Sequence, residues 1–395
     1  MYEEYSPIRI PISGRTFVCT CHFEDENLRK YIERHGIGGV CSFCEKEGKV
    51  IDLANLIEHV KDTVYRYFGT LDDENIPLEL FHEKSNGFGL VKEIVSENEQ
   101  KHHIDLLQSL PTSSLLQELD LTTDNDSLNE SIESCFDMGQ EWIRHNPMSF
   151  TEGQWVSYYW KSFCDTIKSR RRFTIDEYEF ESDYYGDPLS YKDVISRIFS
   201  AIKDAQMCIT LPQGARLYRS RDFDEMKENI NFDDLTSAPS KRAKQNRMSP
   251  AGISMFYSSL QAKTNHAELG VTDRIIVTGR FTLKKDVRIL DLTSLPALSY
   301  WSKGDIGEME FLHDFSREVS RPIERDDTIH IEYLPTQAFT EYIRYRFKDD
   351  NSAPLDGIMF NSSIANAGKN VVLFCNKEES SEYVELTDFK NYCDL

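Results

Sequence analysis

The sequence predicts an α+β protein in three parts: a small cysteine-rich module over residues 1–48, a helical domain over 49–205, and a domain built on a mixed or mostly antiparallel β-sheet over 206–395. Three observations predict it. Four of the nine cysteines (Cys19, Cys21, Cys41 and Cys44) crowd the first 44 residues. Apolar residues after Gly48 recur at the 3-and-4 spacing of one helix face. From about Leu211 the texture changes to short runs rich in β-branched and aromatic residues, separated by turns.

The bulk numbers agree. At 39% hydrophobic and 28% charged, a chain of 395 residues reads as a folded soluble protein long enough for two or three domains. A net charge of −22 argues against a broad nucleic-acid-binding surface, which needs clustered cations. One local exception is the basic run from Lys241 to Arg247, either a solvated loop or an anion site. The N-terminal stretch MYEEYSPIRIPI does not read as a secretory signal, and nowhere do 18 apolar residues run together, so no membrane span is expected. An odd number of cysteines, clustered at one end, fits a reducing cytoplasm and one metal site better than a secreted disulfide scaffold.

In the cysteine module, Cys41 and Cys44 are spaced C-x-x-C, which lets a tight turn aim both sulfurs at one ion. Cys19 and His22 have the same gap, with Cys21 close enough to substitute. The expected ligands of a structural zinc are Cys19, His22, Cys41 and Cys44, with Cys21 the alternative. Four protein ligands leave no open position for chemistry. A short helix over 25–35 fills the middle.

Leu53, Leu56, Ile57, Val60, Val64, Tyr67 and Phe68 mark the clearest helix. Further helices are expected at 113–121, 127–144, 152–172 and 189–206, forming a bundle, with Trp155, Tyr159 and Phe163, and Val156 and Trp160, as a core stripe. The acidic stretch 176–187 reads as a linker or lid. Strands are expected at 275–281, 287–290, 329–334, 357–360 and 371–376. Ahead of them, Pro250 and Gly252 place a turn, 253–257 a short buried strand, and 258–270 a helix.

Four positions in this half suit one chemistry when combined. Arg219 and Arg247 have the planar fork that pairs with phosphate oxygens. Glu268 suits a reaction that develops positive charge, and Ser362 follows a strand end. Tyr257 closes the short strand, as a core aromatic or a ring bordering a ligand.

The order of blocks resembles the RES domain family, named for an arginine, a glutamate and a serine. The resemblance covers roughly residues 205–380 and rests on LYR at 217–219, R-x-SPxG-x-x-x-x-Y from Arg247 to Tyr257, AE at 267–268, SRPIE at 320–324, DGIMFNSS at 356–363 and G-x-NVVLF at 368–374. Phe360 stands where many relatives have tyrosine. The first part resembles the HEPN-type domain found ahead of RES domains, through Cys19-x-x-His22, F-x-D-x-x-L at 23–28, C-S-x-C at 41–44, W-x-x-F at 160–163 and RRRF at 170–173. Where relatives commonly have a cysteine ligand, this chain has His22. The arginine–histidine pair of HEPN ribonucleases is missing from the helical stretch after residue 50, and Arg29 with His35 and Arg325 with His330 are read as chance, so ribonuclease activity is not expected.

The resemblance implies an ADP-ribosyltransferase-like fold and degradation of NAD by cleavage of the nicotinamide–ribose bond, through hydrolysis or phosphorolysis, as a toxin or defence effector. Glu268, Arg247 and Ser362 are then catalytic, and Arg219, Tyr257 and Arg247 bind the substrate; Ser363 is the neighbour able to replace Ser362. Implied partners are NAD, an antitoxin or regulatory protein, and further copies of the chain. The competing expectations are an ADP-ribosyltransferase acting on a macromolecule and a non-catalytic binding or sensor module.

Overall fold

The computed structural model describes residues 6–70, 109–145, 152–175, 190–225, 229–269, 274–302, 304–321, 329–349, 352–364 and 368–391. Packing divides them into two units, Met1–Thr151 with Leu298–Ser302, and Glu152–Ala297 with Lys303–Leu395.

In the first unit, β1 (Phe17–Cys19), β2 (Ile37–Val40) and β3 (Glu47–Asp52) form an antiparallel sheet in the order β1-β3-β2. Helix α1 (Glu26–His35) follows β1, started by Asp25, whose carboxylate accepts from the amides of Asn27 and Leu28. Asp52 does the same for α2 (Leu53–Tyr67) through the Ala54 amide. The periodic residues Leu53, Leu56, Ile57, Val60 and Val64 are all buried on the one face of α2. Phe68, also buried, already belongs to β4 (Phe68–Thr70). Then come β5 (Leu110–Pro111), α3 (Thr112–Glu118), α4 (Asp126–Glu133) and β6 (Glu141–Arg144).

The helix expected over 127–144 is therefore helix only to Glu133, and Glu141–Arg144 is a strand. That strand pairs on both sides, in the order β4-β6-β5, and buries Trp142 and Ile143 completely. Sheet pairing overrides a pattern that fits either period. The indole of Trp142 donates to Thr112 Oγ1 at 3.0 Å, and that of Trp301 to the Leu119 carbonyl at 3.0 Å.

The second unit is organised on an eight-stranded sheet. Its strands are β7 (Cys208–Leu211), β8 (Arg216–Phe223), β9 (Phe256–Ser259), β10 (Ile275–Leu283), β11 (Val287–Asp291), β12 (Gly357–Asn361), β13 (Lys369–Leu373) and β14 (Val384–Asn391). They lie in the order β14-β10-β8-β9-β13-β12-β11-β7, antiparallel throughout except for β11 with β12. This is the mixed sheet of an α+β protein.

Alternation along the strands gives each face its own core. Ile358, Phe360, Val372 and Tyr257 face one way, into a core shared with α5 (Glu152–Ser169), α6 (Tyr191–Asp204), α8 (Ile306–Ser320) and α9 (Leu334–Tyr345). Met359, Val371, Leu373 and Phe256 face the other, with Leu217, Val277 and Phe281. The aromatic stripe on α5 is core as expected, with Tyr159, Trp160 and Phe163 all buried. Instead of a separate bundle, α5 and α6 join α8 and α9 in covering the sheet.

Two local expectations fail. Residues 329–334 form a helical turn, Ile329–Glu332, leading into α9, because Pro335 fits the first turn of a helix, where its missing N–H is not needed. Strands β7 and β14, at the two edges, were not expected. The stretch 176–187 and residues 322–324 of the SRPIE block lie outside the described residues.

Candidate functional site

The turn after the basic run is tied down before it reaches the sheet. Asn246 and Ser249 exchange backbone hydrogen bonds, and Gly252, at φ +89°, takes the left-handed conformation that a side chain would strain. Gln337 Nε2 donates to the Asn246 and Ser249 carbonyls at 2.8 and 3.2 Å, and Thr336 Oγ1 to that of Arg247 at 2.6 Å. From β9, the Tyr257 hydroxyl accepts from the Met248 amide at 3.2 Å and shares a hydrogen bond with Ser249 Oγ at 3.0 Å. Burial pushes this phenol well above the ordinary tyrosine range.

Arg247, so fixed, uses both terminal nitrogens on carbonyls at the end of α8: Nη1 donates to Val319 at 2.5 Å and Nη2 to Arg321 at 2.6 Å. Its guanidinium lies 5.6 Å from the centre of the Tyr333 ring. Burial pulls its pKa down, opposed by the nearby Tyr333, Glu268 and Tyr257.

Arg219 comes from β8, opposite Gly279 of β10. Its guanidinium stacks 5.5 Å from the centre of the Phe256 ring and donates through Nη1 to the Tyr257 carbonyl, while its buried Nε has no partner. Burial, with the neighbouring Arg221, pulls its pKa down to about 9, so it stays a cation at neutral pH.

Glu268 is on α7 (Ala262–Leu269), which begins later than the helix expected from residue 258 because β9 runs to Ser259. Its Oε1 accepts from Ser362 Oγ at 2.6 Å and from Asn370 Nδ2 at 2.8 Å. Ser362 follows β12, and Asn370 lies on β13.

These elements enclose a cavity of about 600 Å³ whose wall includes Arg219, Arg247, Tyr257, Glu268, Tyr333 and Asn370. Four of the five expected residues line it. Ser362 does not, and reaches the site through Glu268; its neighbour Ser363 is on the wall. Lys244 joins the two arginines, so the lining carries three cations to one carboxylate in a protein of net charge −22. Sequence reading missed Asn370 and Tyr333. Asn370 follows Lys369 at the start of β13, and an amide beside the apolar run 371–373 marks the position but not its partner.

The RES domain family model matches residues 216–390, the whole of this site. That of HEPN/RES N-terminal domain 1 matches residues 34–180. The chain is a HEPN/RES N-terminal domain followed by a RES domain. No curated protein and no solved structure matches it. The HEPN/RES match runs on through α5, a helix that packs within the RES-containing unit. Among the described residues no helix is long and apolar enough to cross a membrane.

A second cluster lies in the cysteine module. The ligand atoms of Cys19, His22, Cys41 and Cys44 all fall within 4.8 Å of one another, so these four can hold a metal ion. Cys41 Sγ is 3.4 Å from His22 Nε2, and Cys19 Sγ is 3.5 Å from Cys44 Sγ. A tetrahedral ion with bonds of about 2.0–2.3 Å separates its ligands by about 3.3–3.8 Å, and the donor set suits it. Cys21 is exposed, but its sulfur is only 3.0 Å from that of Cys19 and 3.6 Å from that of Cys44. Burial of Cys41 is outweighed by the amides of Phe43 and Cys44, which lower its thiol pKa toward the thiolate a metal binds.

Proposed function

We propose that this protein degrades NAD by cleaving the bond between nicotinamide and ribose. The observation that carries the reading is the Glu268 carboxylate, held by two donors on the wall of a cavity that it shares with Arg219 and Arg247.

In this reaction the C1–N bond of the ribose breaks and its electron pair leaves with nicotinamide, whose ring becomes neutral. The ribose passes through an oxocarbenium-like state, and a water or phosphate oxygen then bonds to C1, water losing a proton to solvent. Glu268 binds the ribose hydroxyls and places its negative charge where positive charge develops, a stabilisation that needs no reorganisation because the carboxylate is already fixed. Ser362 orients it. The N–H groups of Arg219 and Arg247 not engaged with carbonyls hold the pyrophosphate, and the fixed turn behind Arg247 keeps the substrate aligned. Tyr257 borders the nicotinamide ring. The cationic lining suits an anionic dinucleotide, and about 600 Å³ lies within the range of small-molecule sites.

On this reading the protein is a toxin or defence effector, held in check by an antitoxin or regulatory partner, and the four-residue cluster binds a structural zinc that braces the cysteine module. The test is incubation of the purified chain with NAD, with and without phosphate, and identification of products. Free nicotinamide with ADP-ribose marks hydrolysis, and ADP-ribose 1-phosphate marks phosphorolysis. Label transferred from NAD to a macromolecule supports ADP-ribosyl transfer instead, and NAD left intact overturns the proposal.

A further inference from the structure

We propose that Asn370 is a positioning residue for Glu268, acting with Ser362 as a two-sided clamp on one carboxylate oxygen. The proposal rests on the reading of Glu268 given above. A carboxylate only accepts, so the amide must present Nδ2 to it, and the 2.8 Å contact is a hydrogen bond with one possible sense. The Ser362 hydroxyl, at 2.6 Å, reaches the same Oε1.

The two donors differ in what carries them. Ser362 lies beyond the end of β12, in the segment that leads to β13. Asn370 is inside the sheet, 7% exposed, paired with Ser259 on β9 and with Phe360 on β12. A donor built on a strand hydrogen-bonded on both sides has little freedom, and groups that must hold reacting geometry are more exact on such elements than on loops. Asn370 is the rigid half of the clamp. Ser362, one residue past β12, is held by the 2.7 Å hydrogen bond from its amide to the Gly368 carbonyl.

Replacing the amide by a carboxylate of the same shape separates this role from packing. If Asn370 only fills space, Asn370→Asp is the milder change and Asn370→Ala the harsher. If it positions Glu268 by donation, the order reverses, because an ionised Asp only accepts and sets a like charge against Glu268. The experiment measures kcat and KM for NAD, with thermal midpoints, in the full chain and in N370A, N370D, S362A, N370A/S362A and E268Q. Expected are a fall in kcat of about 10–100-fold in N370A with KM within about threefold of wild type, and a larger fall in N370D. The double variant should lose less than the product of the two single losses, since both donors serve one oxygen. An N370A variant with wild-type kcat, or N370D more active than N370A, beside a silent E268Q, overturns the proposal alone. Full NAD turnover in E268Q removes the reading of Glu268 and this proposal with it.

Discussion

Ser362 Oγ donates to Glu268 Oε1 at 2.6 Å across 94 positions of sequence, while Ser363, one residue on, lines the cavity itself. The neighbouring hydroxyls therefore have separable effects. Ser362→Ala should lower kcat for NAD by about 10–100-fold with little change in KM, since it loosens a carboxylate already in place. Ser363→Ala should move KM alone. Steady-state kinetics of the two variants check this, and equal kcat losses in both would refute it.

Glu268→Gln keeps the shape and both oxygen-directed contacts but removes the charge. Turnover should fall by about 10²–10³-fold or more while the fold is kept, which product analysis and a thermal melt together measure. A variant that still consumes NAD at the wild-type rate shows that the carboxylate is not at the reacting centre.

Arg247 spans two carbonyls, those of Val319 and Arg321. A lysine has one compact ammonium and cannot reproduce that fork. With about 2 kcal/mol at stake in one lost charge-assisted bond, Arg247→Lys should lower the melting midpoint by about 4–8 °C and reduce kcat/KM at least tenfold. Calorimetry and kinetics on one preparation test both halves.

Tyr257 predicts an alkaline weakness. Its phenol ionises at higher pH folded than unfolded, so its contribution to stability is complete below the unfolded value of about 10 and is lost as pH rises beyond it. Wild type should therefore lose more denaturant resistance between pH 8 and pH 10.5 than Tyr257→Phe does. At pH 8 the variant should be weaker by about 1–2 kcal/mol, having dropped its bonds to the Met248 amide and Ser249.

Metal analysis should find one zinc per chain. It should be lost in Cys41→Ser and His22→Ala and retained in Cys21→Ser, because the exposed Cys21 is not among the four residues whose ligand atoms all fall within 4.8 Å of one another. Zinc retained in His22→Ala and lost in Cys21→Ser would exchange the two residues' roles. Chelation should lower the melting transition of the cysteine module, because the ion's binding energy is part of its folding energy.

Much of this protein is legible in one dimension. Where a pattern reflects a single short-range rule, reading succeeds: the short helix over 25–35, the apolar face of α2, the C-x-x-C pair and the turn at Gly252 each follow from local sterics or hydrogen bonding. The order of the blocks around Arg219, Arg247, Glu268 and Ser362 pointed to one site, although no two of these residues are near in sequence.

The structure alone decided what depends on distant partners. Residues 141–144 become a strand because β4 and β5 offer edges on both sides, and residues 329–332 become a helical turn because α9 follows directly. The role of Asn370 was invisible for the same reason. Nothing within its own strand distinguishes a buried amide that packs from one that grips a carboxylate 102 residues away. Local propensity is set by neighbours along the chain, whereas register, pairing and the convergence of Ser362 and Asn370 on one oxygen are set by neighbours in space.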